Sequence, residues 1–100
     1  MPLINLSMQH EHSLDEARRS LETAVHDVQS RFRILLRQVD WSADRSRVRL
    51  DGTGFWVEMW VDAQMVHMRG DILGLGGLLS GSVVQGLKQI IEQTFQKRLP

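Results

Sequence analysis

The imidazoles near the N-terminus are the side chains whose type and spacing most directly suggest chemistry. His10 and His12 flank Glu11, and two residues apart on an extended segment they share a face. With His67 or His26 as a third imidazole, they would offer zinc three nitrogen ligands and an open position. The spacing is generic, and a polar turn with His12 packed near the start of a helix accounts for the same residues. We therefore predict no metal and no cofactor.

The serines, carboxylates and glycines form no motif of catalysis or nucleotide binding. No serine lies in a G-x-S-x-G elbow, and most acidic residues lie at predicted turns or on polar helix faces, not in buried catalytic pairs. The chain has no cysteine, which excludes thiol nucleophiles and cysteine-based metal sites. A G-x-G-x-x-L run from Gly74 lacks the βαβ crossover and the acidic ribose partner of a dinucleotide site. The sequence thus predicts a protein that is not an enzyme.

Two tryptophans stand out on a predicted strand over 55–61. Alternation puts Trp56 and Trp60 on the face opposite Phe55, Val57, Met59 and Val61. If the latter set faces the helices, both indoles lie on the open face of the sheet, where large aromatic side chains often mark a binding or oligomer surface. Alternatively the strand is central, and the stems of Arg47 and Arg49 cover the indoles by cation–π stacking. Both interpretations stay open at this point.

A glycine- and leucine-rich segment over 72–81 is the second candidate surface. It is uncharged and apolar, and we expect it to be flexible. It could insert shallowly into a hydrophobic surface, or it could be a buried connection whose leucines fill the core while its glycines allow tight turns. The predicted interaction surface as a whole comprises Trp56, Trp60, Leu73, Leu75, Leu78 and Leu79.

Composition bounds the class of protein. One hundred residues, 42% hydrophobic and 24% charged, predict a single globular domain over 1–100. Twelve basic residues balance twelve acidic ones, which disfavours a nucleic-acid partner despite a small stripe at Arg45, Arg47 and Arg49. The uncharged stretch from Ile72 to Leu87 falls short of the roughly 20 residues that span a bilayer. With no recognisable export signal, we expect a cytoplasmic protein without a membrane span.

Hydrophobic periodicity assigns the first half of the chain. Leu3 to Gln9 alternates and predicts a strand. Ser13 with Glu16 forms a capping box. Apolar residues then recur at helical spacing, which predicts a helix over 14–37; they are Leu14, Ala17, Leu21, Ala24, Val25, Val28, Phe32, Leu35 and Leu36.

Strand patterns follow from Val39 onward, and Val48 and Leu50 alternate with Arg47 and Arg49 in the first strand of a meander. Asp-Gly-Thr-Gly over 51–54 supplies hairpin chemistry, since Asp-Gly tolerates positive φ. Strands over 55–61 and from Met65 to Ile72 complete a three-stranded meander. A second amphipathic helix runs from Val83 to about Leu99, and we expect Gly86 to serve close packing against the sheet or the first helix. The order is β-α-β-β-β-α, which predicts an α+β two-layer sandwich with a mostly antiparallel sheet and both helices on one face.

The ordered features resemble a known bacterial family. His-Ser-Leu-Asp-Glu-Ala-Arg over 12–18 opens the first helix, Phe32 lies near its end, Trp41 begins the second strand, Gly54 stands at the hairpin, and Leu-Gly over 73–74 precedes the last helix. This pattern resembles the polyhydroxyalkanoic acid system proteins over nearly the whole chain. The resemblance implies a bacterial cytoplasmic protein associated with polyhydroxyalkanoate storage, and it supplies no catalytic residue.

Residues and resemblance together predict a non-enzymatic accessory protein of polyester storage. It would bind or self-associate through its apolar surface, as a homo-oligomer whose other partners are the granule surface or granule proteins. The alternative is a small-ligand-binding or hydroxyacyl-processing protein with a pocket between sheet and helices, reaching His67 or His12.

Overall fold

The computed structural model describes residues 4–72 and 76–96, and within them the side chains of 4–72 and 83–95. Seven elements follow one another along the chain. They are β1 (Ile4–Gln9), α1 (Leu14–Arg31), β2 (Leu36–Trp41), β3 (Arg47–Gly52), β4 (Phe55–Val61), β5 (Met65–Ile72) and α2 (Gly76–Gln96).

The five strands form one antiparallel sheet in the order β1-β5-β4-β3-β2. β4 is therefore the central strand, while β1 and β2 are the edges. The predicted α+β class with an antiparallel sheet is confirmed, and the first strand joins at an edge, beside β5. The element order differs in one respect, because the sheet contains one strand more than β-α-β-β-β-α.

The extra strand, β2, overlaps the predicted end of the first helix at Leu36 and Arg37. α1 ends at Arg31, with Phe32 as its C-cap, and not at residue 37 as predicted. Leu35 and Leu36 continue the helical spacing, yet Leu36 pairs with Gly52 across the sheet. A short apolar run at a helix end fits either period, so pairing with β3 decided the outcome.

The start of α1 is as predicted. The Glu16 N–H donates to the Ser13 hydroxyl at 3.2 Å, and the Ser13 N–H donates to the Glu16 carboxylate at 3.1 Å. These reciprocal bonds lower the pKa of Glu16 below its usual value, the Ser13 contacts being the main cause. The capping box thus sets the first turn of the helix.

The β3–β4 hairpin turns at Thr53 and Gly54, two residues later than Asp51-Gly52 predicts. Gly54 has the positive φ, 80°, while Gly52 still belongs to β3. A Cβ atom at Gly52 would lie 2.0 Å from the Phe55 ring. Gly52 is therefore needed for space beside an aromatic neighbour, and Gly54 for backbone conformation.

α2 begins at Gly76, so the part of the predicted flexible segment from residue 76 onward is helical. Gly86 is buried, and a Cβ there would lie 2.7 Å from the Phe32 ring, which confirms the expected close approach to the end of the first helix. Among the described residues, no helix is long and apolar enough to cross a membrane.

Both helices lie on one face of the sheet and share one apolar core with it. Residues of β1, β3, β4, β5 and both helices contribute. Its fully enclosed side chains include Ile4, Leu21, Val48, Leu50, Val57, Met59, Met68, Leu87 and Ile91. The predicted inward set of β4, Phe55, Val57, Met59 and Val61, is buried, which leaves the opposite face of the sheet without a covering layer among the described residues.

Candidate functional site

The uncovered side of the sheet, called the open face below, carries three rows of side chains across β3, β4 and β5. Strand register defines them, because cross-strand partners lie side by side. The acidic row is Asp51, Trp56 and Asp71; the middle row is Arg49, Glu58 and Arg69; the basic row is Arg47, Trp60 and His67. Both predicted tryptophans thus lie on the open face, at the centre of the two outer rows.

Trp56 is half-buried beneath a guanidinium. The Arg49 guanidinium carbon lies 4.8 Å from the indole centroid. Asp51 holds this arginine in place, accepting from Nε at 3.1 Å and from Nη2 at 3.2 Å. A guanidinium over an indole is favourable because the ring face is electron-rich, and the bidentate carboxylate fixes its orientation.

Trp60 is flanked by both neighbours in its row. The Arg47 guanidinium lies 4.8 Å from its ring, and the His67 ring stacks on it at 5.1 Å with an interplanar angle of 21°. The central position of β4 and the arginine covers are those of the second interpretation given above. Both indoles nevertheless remain half-buried rather than sealed.

Glu58 links the two tryptophan rows. Its carboxylate lies 3.5 Å from Arg47, 3.7 Å from Arg49 and 3.8 Å from Arg69. The Glu58 side chain is only 17% exposed, whereas the three arginines are about half exposed. One carboxylate therefore orients both arginines that cover the indoles.

A serine, a histidine and an aspartate meet at the end of the basic row. Ser7 Oγ lies 2.7 Å from His67 Nδ1, and Asp62 Oδ2 lies 3.4 Å from His67 Nε2. The backbone N–H groups of Gln64 and then Met65 lower the pKa of Asp62, and the His67 contact lowers it further. The chain order hid this cluster, since 60 residues separate Ser7 from His67; only the pairing of β1 with β5 brings them together.

This cluster has the residue types of a hydrolytic triad but lacks the rest of such a site. Ser7 lies within a strand, where backbone N–H groups point along the sheet and not above its face. Among the described residues, no pair of backbone N–H groups of this strand is therefore aimed at an oxyanion above Ser7. Its evident effect is to hold the His67 ring against Trp60.

His10 and His12 serve the fold, whereas His26 is exposed on α1. His10 is buried; the His12 N–H donates to its Nδ1 at 3.1 Å, so neutral His10 carries its hydrogen on Nε2 and donates it to the Asp62 carbonyl at 2.8 Å. Both rings lie about 6 Å from Phe95. Within the described ranges, no group of three or more His, Cys, Asp or Glu residues could hold a metal ion.

The leucines of the predicted surface are less fully located. Leu73 and Leu75 lie outside the described residues. Leu78 and Leu79 belong to the first turns of α2, where only the backbone is described. The structure therefore puts Trp56 and Trp60 on one face of the sheet, on either side of Glu58, and it leaves the role of the four leucines a prediction.

The space between sheet and helices, where the alternative hypothesis puts a pocket, holds apolar side chains that are 0–5% exposed. His67 lies on the other side of the sheet, and His12 lies beside Phe95 at one end. An open cleft of about 360 Å³ lies instead between the C-terminal end of α1 and the edge strand β2.

Comparisons with protein-family models, with curated proteins and with solved structures find no match for this chain. The resemblance to polyhydroxyalkanoic acid system proteins therefore stays a prediction from the sequence.

Proposed function

We propose that this protein acts by binding, without catalysis, and that the open face of its sheet is the binding surface. The observation that carries this proposal is the position of Trp56 and Trp60 on the central strand, where each indole is half-buried under the long side chain of an arginine. Arginine covers can be displaced, and each Å² of indole then buried against a partner contributes about 25 cal/mol before association costs. Aromatic and arginine side chains are also those enriched at protein interfaces.

A second copy of this chain is the partner that fits the charges. A twofold axis lying along the middle row sets the acidic row of one protomer against the basic row of the other. Asp51 then faces Arg47, Trp56 faces Trp60, and Asp71 faces His67. On this axis the middle-row residues Arg49, Glu58 and Arg69 each face their own copy, so the attraction comes from the two outer rows. An axis along β4 would set Asp51 against Asp71 and Arg49 against Arg69 and would bring no opposite charges together. The proposed homodimer therefore has its strands antiparallel across the interface.

The area of the open face sets the affinity that we expect for the homodimer. Five strands spaced about 4.8 Å apart and about 20 Å long make a face near the small end of specific interfaces. We therefore expect reversible pairing with a dissociation constant on the order of micromolar. Nucleic acid fits this surface poorly, because Arg47, Arg49 and Arg69 already share carboxylate partners and would not release phosphate counterions freely.

The resemblance to the polyhydroxyalkanoic acid system family supports the place of action. We propose that the paired protein is an accessory of polyester storage in the bacterial cytoplasm, at the granule surface or on granule proteins. The leucines at 73, 75, 78 and 79 are the part of the predicted surface that we assign to this second contact.

Complementary charge reversals test the pairing. Asp51→Lys and Arg47→Asp should each be monomeric in analytical ultracentrifugation, because each puts like charges opposite one another. An equimolar mixture should pair again, since Lys at 51 then meets Asp at 47. Asp27→Lys and Arg19→Asp, both exposed on α1 and off the open face, are the matched controls. A wild-type chain that stays monomeric, or a mixture that does not pair, contradicts the proposed dimer.

The tryptophan pair tests the binding function itself. Trp56→Ala combined with Trp60→Ala should keep the far-ultraviolet circular dichroism of the fold. It should weaken both self-association and co-sedimentation with polyester granules. Unchanged behaviour in both assays would show that the open face is not the working surface.

A further inference from the structure

A cleft between the C-terminal end of α1 and the edge strand β2 is a second site that the open face does not explain. Six residues line it: Gln29, Arg33, Leu36, Arg37, Gln38 and Val39. Leu36 and Val39 are only half-buried, whereas Leu50 on the neighbouring strand is fully buried. Two helices do not cover five strands completely, so the inner side of β2 is left as an apolar floor.

The rim of this cleft carries positive charge without a partner. Arg33 and Arg37 are exposed, and within residues 4–72 and 83–95 neither forms an ion pair. By contrast, Arg45 pairs with Glu22 at 3.7 Å at the other end of β2. Two guanidiniums beside an apolar floor favour a ligand that combines carboxylate with hydrocarbon.

An exposed apolar residue stands beside the cleft. Ile34 is 93% exposed, and it is the one exposed large hydrophobic residue among those whose side chains are described. Its turn is well anchored, because the N–H groups of Leu35 and Leu36 both donate to the Phe32 carbonyl, at 2.9 and 2.8 Å, and the Thr53 N–H donates to Leu35 at 2.7 Å. Its exposure is thus built into the fold. A single exposed apolar side chain is ordinary, but this one directly follows Arg33, which lines the cleft.

The backbone of β2 adds a third kind of contact. No strand of the described sheet lies on its outer side. The register shifts between Leu36 and Gln38, and it is regular over Val39, Asp40 and Trp41. An extended chain lying beside these residues could form main-chain hydrogen bonds with the free edge.

We propose that this cleft binds an extended acidic segment of a partner protein. One apolar side chain of the segment packs on Leu36 and Val39. The carboxylates two residues before and after it, which share its face of the extended segment, pair with Arg33 and Arg37. Ile34 contacts the segment beyond the cleft. A protein segment fits better than a small carboxylate because only a peptide backbone can also form main-chain hydrogen bonds with the free edge of β2.

Fluorescence anisotropy tests this proposal with a labelled peptide, Ser-Glu-Ser-Ile-Ser-Glu-Ser, which carries its two carboxylates and its apolar side chain on one face when extended. The peptide should bind, whereas its lysine counterpart, Ser-Lys-Ser-Ile-Ser-Lys-Ser, should not. Arg33→Gln and Arg37→Gln should each weaken binding by roughly threefold, as expected for exposed charge pairs, and Ile34→Ser should weaken it as well. Arg19→Gln, an exposed arginine elsewhere on α1, should leave it unchanged.

Chemical shifts of ¹⁵N-labelled protein then locate the peptide. Perturbations should centre on residues 33–41 and spare Trp56 and Trp60. The proposal is overturned by equal binding of both peptides, or by chemical-shift changes centred on the open face. It is also overturned if Arg33→Gln combined with Arg37→Gln does not weaken binding of the acidic peptide. Octanoate that binds as tightly as the peptide, or anionic vesicles that bind when the peptide does not, would assign the cleft to another ligand and equally overturn it.

Discussion

A Cβ atom at Gly86 would lie 2.7 Å from the Phe32 ring, so the second helix approaches the end of the first at a point where only glycine fits. The Arg31 guanidinium donates to the Gly86 carbonyl at 3.4 Å beside this contact. The place where α1 stops and the place where α2 packs are thus one structural feature.

Gly86→Ala should therefore destabilise the protein. Alanine gains about 1 kcal/mol of helix propensity, but overpacking against Phe32 costs roughly 1–3 kcal/mol. We expect a net loss of about 1 kcal/mol in the free energy of unfolding, measured with urea. Gln85→Ala, exposed on the same helix, is the control and should not destabilise. Combining Gly86→Ala with Phe32→Leu should recover part of the loss; a stabilised Gly86→Ala protein would contradict this packing.

Glu58→Gln should loosen the arginine covers of the open face. The charge that Arg47, Arg49 and Arg69 share is lost, and three guanidiniums are left close together. Because the arginines are about half exposed, we expect the free energy of unfolding to fall by only about 1 kcal/mol. Glu22→Gln removes a single pair with Arg45 and should have a smaller effect. Equal losses in the two variants would show that Glu58 does not organise the face.

Asp44 makes the stability of the β2–β3 turn depend on pH. The Ser46 hydroxyl, the Ser46 N–H and the Ser42 hydroxyl lower its pKa from 3.8 to about 2. The folded state thus favours the carboxylate, and its contribution is complete above the unfolded value and lost as the pH falls towards 2. Asp44→Asn should lower the melting temperature at pH 7, and the difference from wild type should shrink between pH 4 and 2. Asp27→Asn, exposed on α1, serves for comparison; a difference independent of pH would contradict this role.

Ser7 should not act as a nucleophile. Without donors for an oxyanion, its contact with His67 cannot stabilise a tetrahedral intermediate. Hydrolysis of p-nitrophenyl acetate should show no burst, and Ser7→Ala should leave the rate unchanged. A burst that disappears in Ser7→Ala would make the protein an esterase and contradict the proposal of a binding protein.

Local signals determined the parts of this protein that depend on neighbouring residues. The capping box at Ser13 and Glu16, the alternation along β4 and the close approach at Gly86 are readable because each involves a few residues or one clear period. The same reasoning misplaced the end of α1, because Leu35 and Leu36 fit a helix and a strand equally well. At the hairpin, Asp-Gly indicated a positive φ at Gly52, whereas the structure has it at Gly54.

The sequence by itself determined the class of fold and the division of β4 into two faces, with both indoles on the same one. Tertiary structure decided which face enters the core and what surrounds those indoles. Strand order and register set Arg47 and His67 beside Trp60, joined Ser7 to His67 across 60 residues, and left β2 at an uncovered edge. The reason is physical: periodicity reports which side of a strand is buried, whereas neighbours across a sheet depend on pairing between segments distant along the chain.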